Sequence, residues 1–261
     1  MMKKSCNICG SLMDPIFSGK ILKKYTIQYF TCANCGYTCT ENPYWLKESY
    51  ENPINSTDTG ILWRNIRNSK IVSCILFVFF SKNKKYLDYG GGYGILTRLM
   101  RDIGFDFYGS DPHTQNLFAQ GFEYQKKDCE IDVITSFENF EHFIQPLEDL
   151  EKMLSISQNV LFSTDLLPNP LPKPDIWWYY GLEHGQHISF YSHQTLKTMA
   201  GKFEMNCYSC NNYHLFTRKK INKLLWFGVR KFYWLLFPFI RLTMSSKTMP
   251  DMESQKKSVG K

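Results

Sequence analysis

Three glycines at alternate positions, Gly90, Gly92 and Gly94, stand between an apolar stretch at Lys85–Tyr89 and a helical pattern at Ile95–Ile103. Glycines at a strand-to-helix turn let the backbone approach a ligand closely, and the first turn of the helix offers unpaired N–H groups. The dinucleotide spacing G-x-G-x-x-G would require a glycine at position 95, which is isoleucine. The spacing G-x-G-x-G therefore predicts a strand, a ligand-binding turn and a helix, but not a dinucleotide loop.

Two carboxylates accompany the glycines. Asp88 directly precedes them, where an acid can attract an ammonium group. Asp111 follows a second predicted strand at residues 105–109, about 20 residues downstream, where a carboxylate can hold ribose hydroxyls. Together with the glycines, these acids predict a site for a ligand that carries an adenosine and an amino-acid group.

Strand and helix patterns alternate through the middle of the chain. Strands are predicted at residues 85–89, 105–109, 131–136 and 160–164, and helices at 66–80, 95–103, 112–119 and 147–154. Such alternation is typical of an α/β fold with a parallel sheet and helices on both faces. Ser192 is expected to cap a further helix that runs to about residue 200, and residues 203–216 are expected to supply closing antiparallel strands.

Three segments carry a resemblance to a known family: residues 87–94, residues 109–112, and residues 131–142 with their ending FENFEH. They resemble class I S-adenosylmethionine (SAM)-dependent methyltransferases, in particular the broad group often found with an N-terminal zinc ribbon. The resemblance covers about residues 60–210. It implies a Rossmann-like, seven-stranded, mostly parallel sheet that binds SAM at the carboxyl ends of its first strands. It also makes Asp128 the candidate for the adenine contact.

Candidate catalytic groups lie in two segments. Glu138, Glu141 and His142 follow the strand at 131–136, where the resemblance places the substrate. A hydroxyl acceptor needs a base, which His142 can supply, and the pattern Glu-x-x-Glu-His also offers ligands for a divalent metal. His187 is the rival base, because it matches the family's His-aromatic-Ser segment better than His184 does. For all of these residues a structural role is the alternative.

An aromatic run at residues 177–180 adjoins the second segment. Its rings can stack on an acceptor ring or sugar, or form a packed lid.

Two CxxCG motifs lie about twenty residues apart, at Cys6 and Cys9 and at Cys32 and Cys35. They bracket a β-prone stretch at residues 24–30. This spacing predicts a tetrahedral zinc ribbon over residues 1–45, and four thiolates leave no position open, so the zinc is expected to be structural. Residues 41–60 are interpreted as a linker to a methyltransferase domain at 60–216.

Residues 217–261 are predicted to form basic, aromatic helices followed by a disordered tail after about residue 243. Residues 218–241 could lie on a membrane surface as an amphipathic segment, or pack on the sheet or on a second copy of the chain. The paired CxxC cysteines and the absence of a signal-like segment favour a cytoplasmic protein. The net charge of +7 could favour an anionic partner such as nucleic acid, a phosphorylated substrate or a lipid surface, so peripheral membrane contact is an option.

The sequence thus predicts a SAM-dependent methyltransferase that acts on a small molecule or a glycan-pathway intermediate, with oxygen as the acceptor atom by resemblance. Two other functions stay open. One is an RNA methyltransferase whose zinc ribbon and positive charge hold the nucleic acid. The other is a SAM-binding regulatory protein without catalysis.

Overall fold

The structure is a computed structural model that describes residues 4–51, 58–125 and 130–259. The strands are β1 (Lys4–Ser5), β2 (Leu12–Ile21), β3 (Tyr25–Thr31), β4 (Thr38–Thr40), β5 (Lys85–Tyr89), β6 (Asp106–Ser110), β7 (Ile131–Phe137), β8 (Asn159–Ser163), β9 (Ser189–Phe190), β10 (Asn206–Cys210) and β11 (Tyr213–Thr217). The helices are α1 (Leu46–Ser49), α2 (Ile61–Phe79), α3 (Ile95–Ile103), α4 (Pro146–Leu154), α5 (His193–Lys202), α6 (Lys223–Lys231), α7 (Tyr233–Thr243) and α8 (Thr248–Val259). Short 3-10 helices lie at Phe140–His142 and Trp178–Tyr180.

The chain divides into two compact units, and their boundaries differ from the predicted domains. Unit 1 comprises residues 1–55, 137–155 and 162–218, and unit 2 comprises residues 56–136, 156–161 and 219–261. The predicted ribbon is therefore not a compact unit of its own. It belongs to the same unit as the Glu138–His142 and His187 segments.

The larger sheet has six strands in the described residues, in the order β10-β11-β8-β7-β5-β6. In unit 2, β5 pairs in parallel with β6 on one side and with β7 on the other, and β10 pairs with β11 in antiparallel fashion in unit 1. The α/β class with a mixed, partly antiparallel sheet is confirmed, whereas seven strands are not seen. Beyond β6, residues 121–125 make only a single parallel bridge, between Glu123 and Gly109.

Unit 2 is built around β5, whose Tyr86 and Leu87 are fully buried. Helix α2 contributes the apolar side chains of Ile71, Val72, Ile75 and Leu76, and α3 contributes Leu96 and Met100. The chain leaves β5 towards β6 and returns on the opposite side of β5 as β7, so a topological switch point lies at the carboxyl end of β5. Open α/β sheets bind their ligands at such a point.

Unit 1 contains a second sheet of order β1-β2-β3-β4-β9. Strand β9 belongs to the His187 segment, and it pairs with β4 of the predicted ribbon through Thr38 opposite Phe190 and Cys39 opposite Ser189. Tyr29, Trp45 and Tyr180 pack with Phe190 in the core of this unit. Residues far apart in sequence therefore share one apolar core.

Three sequence expectations were wrong. Residues 112–119 form no helix, because the N–H groups of Leu117 and Phe118 donate to the Tyr93 carbonyl and that of Ala119 donates to Asn116 Oδ1. The segment 41–60, expected to be a linker, forms α1 and buries Trp45; residues 52–57 lie outside the described residues. The tail expected to be disordered forms α8, where Asp251 makes ion pairs with Arg98 and Arg101.

Candidate active site

The glycine loop has the backbone geometry that its spacing predicts. Gly90, Gly92 and Gly94 all have positive φ, at 72°, 56° and 82°. A Cβ at Gly94 would overlap the Asn116 amide, whereas a Cβ at Gly92 would meet no atom within 4 Å. Glycine at position 94 therefore allows close packing, and Gly92 leaves space next to the backbone.

Asp111 organises this loop. Its Oδ2 accepts a hydrogen bond from the Gly92 N–H at 2.9 Å, and its Oδ1 accepts from the N–H groups of His113 and Thr114 at 2.8 Å each. Asp111 also lines a cavity of about 180 Å³ at the end of β5. The other lining residues are Gly91, Gly92, Gly94, Gly109, Ser110, Thr114, Asn116, Glu123 and Tyr124.

Asp88 and Gly90 lie beside the cavity without lining it. Asp88 is buried, and its Oδ1 accepts a hydrogen bond from the Thr135 hydroxyl at 3.0 Å. Burial, together with the nearby Asp111 charge, raises the pKa of Asp88 to about 7, although the Thr135 bond acts in the opposite direction. The Gly90 N–H donates to the Ser110 carbonyl. Both residues thus stabilise the loop without lining the cavity.

The chemistry of this lining suits a polar, nucleotide-like ligand. Gly92 is open towards solvent space, and the cavity contains acid, amide and hydroxyl groups at a sheet switch point. Asp128, the candidate adenine contact, lies outside the described residues. Ser110, Asn116 and Glu123 are lining residues that the sequence did not single out, because turn residues at a sheet edge carry no periodic pattern.

A second cluster of polar groups lies in unit 1. One ligand atom from each of Glu141, His142 and His187 falls within 4.8 Å of the others. The His142 and His187 rings stand edge to face with their centroids 5.0 Å apart, and His184 adds a third ring 4.7 Å from His187. The structure thus brings together both predicted bases, which the sequence had treated as rivals.

Hydrogen bonds orient both imidazoles. His187 Nδ1 lies 2.6 Å from the Tyr179 carbonyl oxygen, which can only accept, so Nδ1 carries the proton and Nε2 presents its lone pair. His142 Nδ1 lies 3.0 Å from the Tyr50 hydroxyl. Burial, and then the neighbouring His142 and His184, lower the pKa of His187 well below its usual value. His187 is therefore neutral at physiological pH.

Glu141 is fully buried, and neither carboxylate oxygen makes a hydrogen bond of normal geometry among the described residues, although the nearby Tyr179 and Thr164 side chains act to lower its pKa. Burial is the largest cause that raises its pKa well above the usual range, followed by the charge of Glu138. A buried carboxyl group without a hydrogen-bond donor is costly unless it is protonated or binds a cation. The two imidazoles beside it complete a donor set suited to a transition-metal or zinc ion.

Glu138 occupies the turn directly after β7 and has a positive φ of 51°, which is unusual for a side chain of this kind. Ser163 fixes it from two sides. The Ser163 hydroxyl accepts from the Glu138 N–H at 3.0 Å and donates to Glu138 Oε1 at 2.5 Å. The two hydrogen bonds to Ser163 hold this carboxylate in one orientation. Backbone strain of the kind that Glu138 shows is common at functional sites.

Sequence reasoning missed Tyr50 and Ser163, and it gave Tyr179 a stacking or lid role instead of its contact with His187. The aromatic run is split in its roles: Tyr179 and Tyr180 are buried core residues, whereas Trp178 is 72% exposed. Trp178 is thus the most exposed of these three rings, with one edge-to-face contact to Tyr179.

The four predicted zinc ligands converge in unit 1. All four sulfurs lie within 4.8 Å of one another, with Cys6 and Cys35 Sγ 3.6 Å apart and Cys9 and Cys32 Sγ 3.4 Å apart. A tetrahedral site with Zn–S bonds of about 2.3 Å requires sulfurs about 3.8 Å apart, so the cluster fits zinc. Gly10 and Gly36, at φ 78° and 73°, close the two knuckle turns.

The other cysteines in the described residues lie outside this cluster. Cys39 and Cys74 are buried, and Cys207 and Cys210 belong to β10. Cys129 lies outside the described residues.

Comparison with known proteins gives a family. The family model described as "Methyltransferase domain" matches residues 63–209. No curated protein matches the sequence. The plantazolicin methyltransferase BpumL has a similar structure at 14% identity and a TM-score of 0.41, over 60% of this chain and 68% of that chain.

Two other solved structures are similar to the same degree. An O-methyltransferase family 2 protein from Planctomyces limnophilus has 14% identity and a TM-score of 0.42, over 63% of this chain and 62% of its own. A small RNA methyltransferase has 13% identity and a TM-score of 0.41, over 59% of this chain and 26% of its own. Similarity of this degree does not identify the acceptor of this chain.

The switch-point cavity beside a G-x-G-x-G loop is that of an α/β protein which binds a nucleotide-like cofactor. The family match covers more than half of the 261 residues. The chain belongs to the methyltransferase-domain family and is a SAM-dependent methyltransferase.

Proposed function

We propose that the protein transfers the methyl group of SAM to a hydroxyl oxygen of a small-molecule or glycan-pathway acceptor, with the acceptor held at the Glu141–His142–His187 cluster. The observation that carries this proposal is the pairing of a buried carboxyl, which makes no hydrogen bond of normal geometry among the described residues, with two oriented imidazoles. A bound cation would offset the Glu141 desolvation cost, which the cluster otherwise avoids only by keeping this carboxyl protonated.

The cofactor end of the reaction uses the loop of unit 2. Gly91, Gly92 and Gly94 let the backbone approach SAM, and Asp111 and Asn116 line the same cavity with polar groups. Asp88 and Gly90 hold the loop in shape. In the reaction, the acceptor oxygen attacks the methyl carbon, and the electron pair of the broken carbon–sulfur bond stays on sulfur.

The acceptor end uses unit 1. Glu141, His142 and His187 would hold a divalent cation, which lowers the pKa of a hydroxyl group bound to it. His187 presents Nε2 because Tyr179 fixes its tautomer. Glu138, anchored by Ser163, takes the proton of the acceptor hydroxyl. A catalytic base at His187 without a cation is the other form of this reaction.

We also infer that Cys6, Cys9, Cys32 and Cys35 bind a structural zinc ion. The support is the sulfur geometry and the two glycine-closed knuckles. The zinc stabilises the strand pair β4–β9, and the same segment carries His187 two residues before β9.

The test is label transfer from methyl-labelled SAM to a panel of nucleotide sugars, quinone precursors and RNA, with chelated protein and with Mg²⁺, Mn²⁺ or Zn²⁺ added back. We expect a hydroxylated small molecule to be labelled, with the rate restored by a divalent ion. Glu141→Gln should lower kcat by about 100-fold or more while SAM affinity changes less than about twofold.

Lys152→Gln is the matched control, since it changes an exposed residue of α4 and should leave kcat unchanged. Full activity of the chelated protein, together with loss of activity in His187→Gln, would show that His187 acts as the base without a cation. Labelling of RNA alone would make the protein an RNA methyltransferase. SAM binding without any transfer would favour the regulatory function.

A further inference from the structure

Helices α6 and α7 expose apolar side chains that a water-soluble surface would normally bury. We call these residues the apolar helical surface: Leu224, Leu225, Phe227, Phe232, Trp234, Leu235, Phe239 and Leu242. Each is about half exposed or more, and Leu224 and Leu242 reach 84% and 87%. Single exposed apolar residues are ordinary, but eight of them between residues 224 and 242, on two consecutive helices, mark an interaction surface.

The pattern along α7 is apolar on both of its faces. Leu235, Phe239 and Leu242 follow one another at helical spacing on the exposed side, and Trp234 lies beside them. The opposite side buries Ile240 and packs on α2, where the Cys74 thiol donates to the Tyr233 carbonyl. A helix that is apolar all round needs an apolar partner on every side. One side of α7 still lacks such a partner among the described residues.

The charge of the same region has one sign. Residues 218–250 contain eight lysines and arginines and no aspartate or glutamate. The cations lie among the rings: Lys231 Nζ is 5.7 Å from the Phe227 ring centroid and 5.6 Å from that of Phe232. Lys70 of α2 lies 6.0 Å from Phe237 in the same way. An anionic partner with an apolar layer beneath it would satisfy both features.

Three partners could cover the apolar helical surface: a lipid bilayer, a second copy of the chain or a nucleic acid. No helix among the described residues is long and apolar enough to cross a membrane, and α6 and α7 span only 9 and 11 residues. A symmetric contact between two copies would bring two sets of cations face to face. A nucleic acid would use the charges and the rings but leave Leu224, Leu235 and Leu242 in water.

We propose that the apolar helical surface docks on an anionic lipid bilayer, with α6 and α7 lying in the interface. The apolar side chains enter the boundary between head groups and acyl chains, while lysines such as Lys223 and Lys231 contact anionic head groups. The acceptor of the methyltransferase is then one that the enzyme meets at a membrane surface.

The test measures binding of the full chain to phosphatidylcholine vesicles with and without one quarter phosphatidylserine, by co-sedimentation. We expect binding to the anionic vesicles that weakens with salt. Trp234→Ser with Leu242→Ser should weaken it by about tenfold. Lys223→Glu with Lys231→Glu should do the same or more.

Matched controls lie in unit 1. Leu12→Ser with Ile176→Ser removes side chains that are 59% and 73% exposed, and Lys20→Glu with Lys202→Glu reverses two exposed charges. Both controls should bind vesicles as the wild type does. Unchanged SAM affinity of every variant shows that it is folded.

Several outcomes would overturn the proposal: no binding to anionic vesicles, equal loss in the controls, or equal binding to neutral vesicles. A stable dimer in solution that dissociates in Trp234→Ser with Leu242→Ser would assign the surface to a second copy instead. RNA binding abolished by Lys223→Glu with Lys231→Glu, but untouched by the apolar variant, would assign it to nucleic acid.

Discussion

The cavity of unit 2 and the cluster of unit 1 are built in different ways. The cavity comes from residues 91–124, where the glycine loop, the end of β6 and the residues that follow β6 supply every lining group. The cluster draws Tyr50, Glu138 with His142, Ser163 and His187 from four separate segments. A site made by neighbouring stretches of chain is local, whereas a site assembled from distant segments depends on whatever holds those segments together.

The largest effect should come from the proposed zinc site of unit 1. Cys6→Ser removes one of four sulfurs, and structural zinc contributes about 10 kcal/mol or more to small metal-dependent folds. We expect loss of bound zinc and loss of hydrogen-exchange protection in β3, β4 and β9, measured by metal analysis and mass spectrometry.

Cys207→Ser, which changes a CxxC cysteine outside the cluster, is the control and should keep both zinc and protection. Wild-type protection in a zinc-free Cys6→Ser protein would show that the strand pairing of unit 1 does not depend on the metal.

The same contrast explains what the sequence could predict. The bounds of β5 and α3 were predicted to the residue, because alternation, glycines and the Asp111 position are local signals. Tyr50 was placed in a linker because nothing near it in sequence indicates a contact with a histidine 92 residues away. The helix expected at 112–119 does not form because the Tyr93 carbonyl and the Asn116 side chain accept N–H groups that it would need. Helix α8 was not predicted because its Asp251 pairs with Arg98 and Arg101, which are distant in sequence.

One buried group in each unit should make the free energy of unfolding depend on pH, and the two dependences should have opposite signs. Burial lowers the pKa of His214 in unit 1 to about 4, so the neutral form is native and its contribution is lost as pH falls below about 6.5. Burial raises the pKa of Asp88 in unit 2 to about 7, so the protonated form is native and stability is lost as pH rises from about 4 towards 7.

Two variants, one for each group, separate these contributions to the free energy of unfolding. Relative to His214→Gln, the wild type should lose about 3 kcal/mol of unfolding free energy between pH 7 and pH 4. Relative to Asp88→Asn, it should lose about 4 kcal/mol between pH 4 and pH 8. Denaturant titrations at each pH measure both differences, and slopes of the same sign would refute the assignment.

A smaller effect compares two helix caps. Ser192 Oγ accepts from the Thr195 N–H and donates to the Cys35 carbonyl of a knuckle, whereas Asn222 Oδ1 only accepts the N–H groups of residues 224 and 225. Ser192→Ala should therefore cost about 1–2 kcal/mol and Asn222→Ala about 0.5–1 kcal/mol by denaturant unfolding. Equal costs would mean that the Cys35 contact adds nothing.

The most direct test of the account titrates SAM calorimetrically into three proteins. The wild type should bind one SAM. Gly92→Asn should lose at least about tenfold in affinity, because asparagine tolerates the positive φ but fills the space beside the loop. Glu141→Gln should bind SAM within about twofold of the wild type. Failure of the wild type to bind SAM, or an equal loss in Glu141→Gln and Gly92→Asn, would contradict a cofactor site in unit 2 that is separate from the acceptor cluster in unit 1.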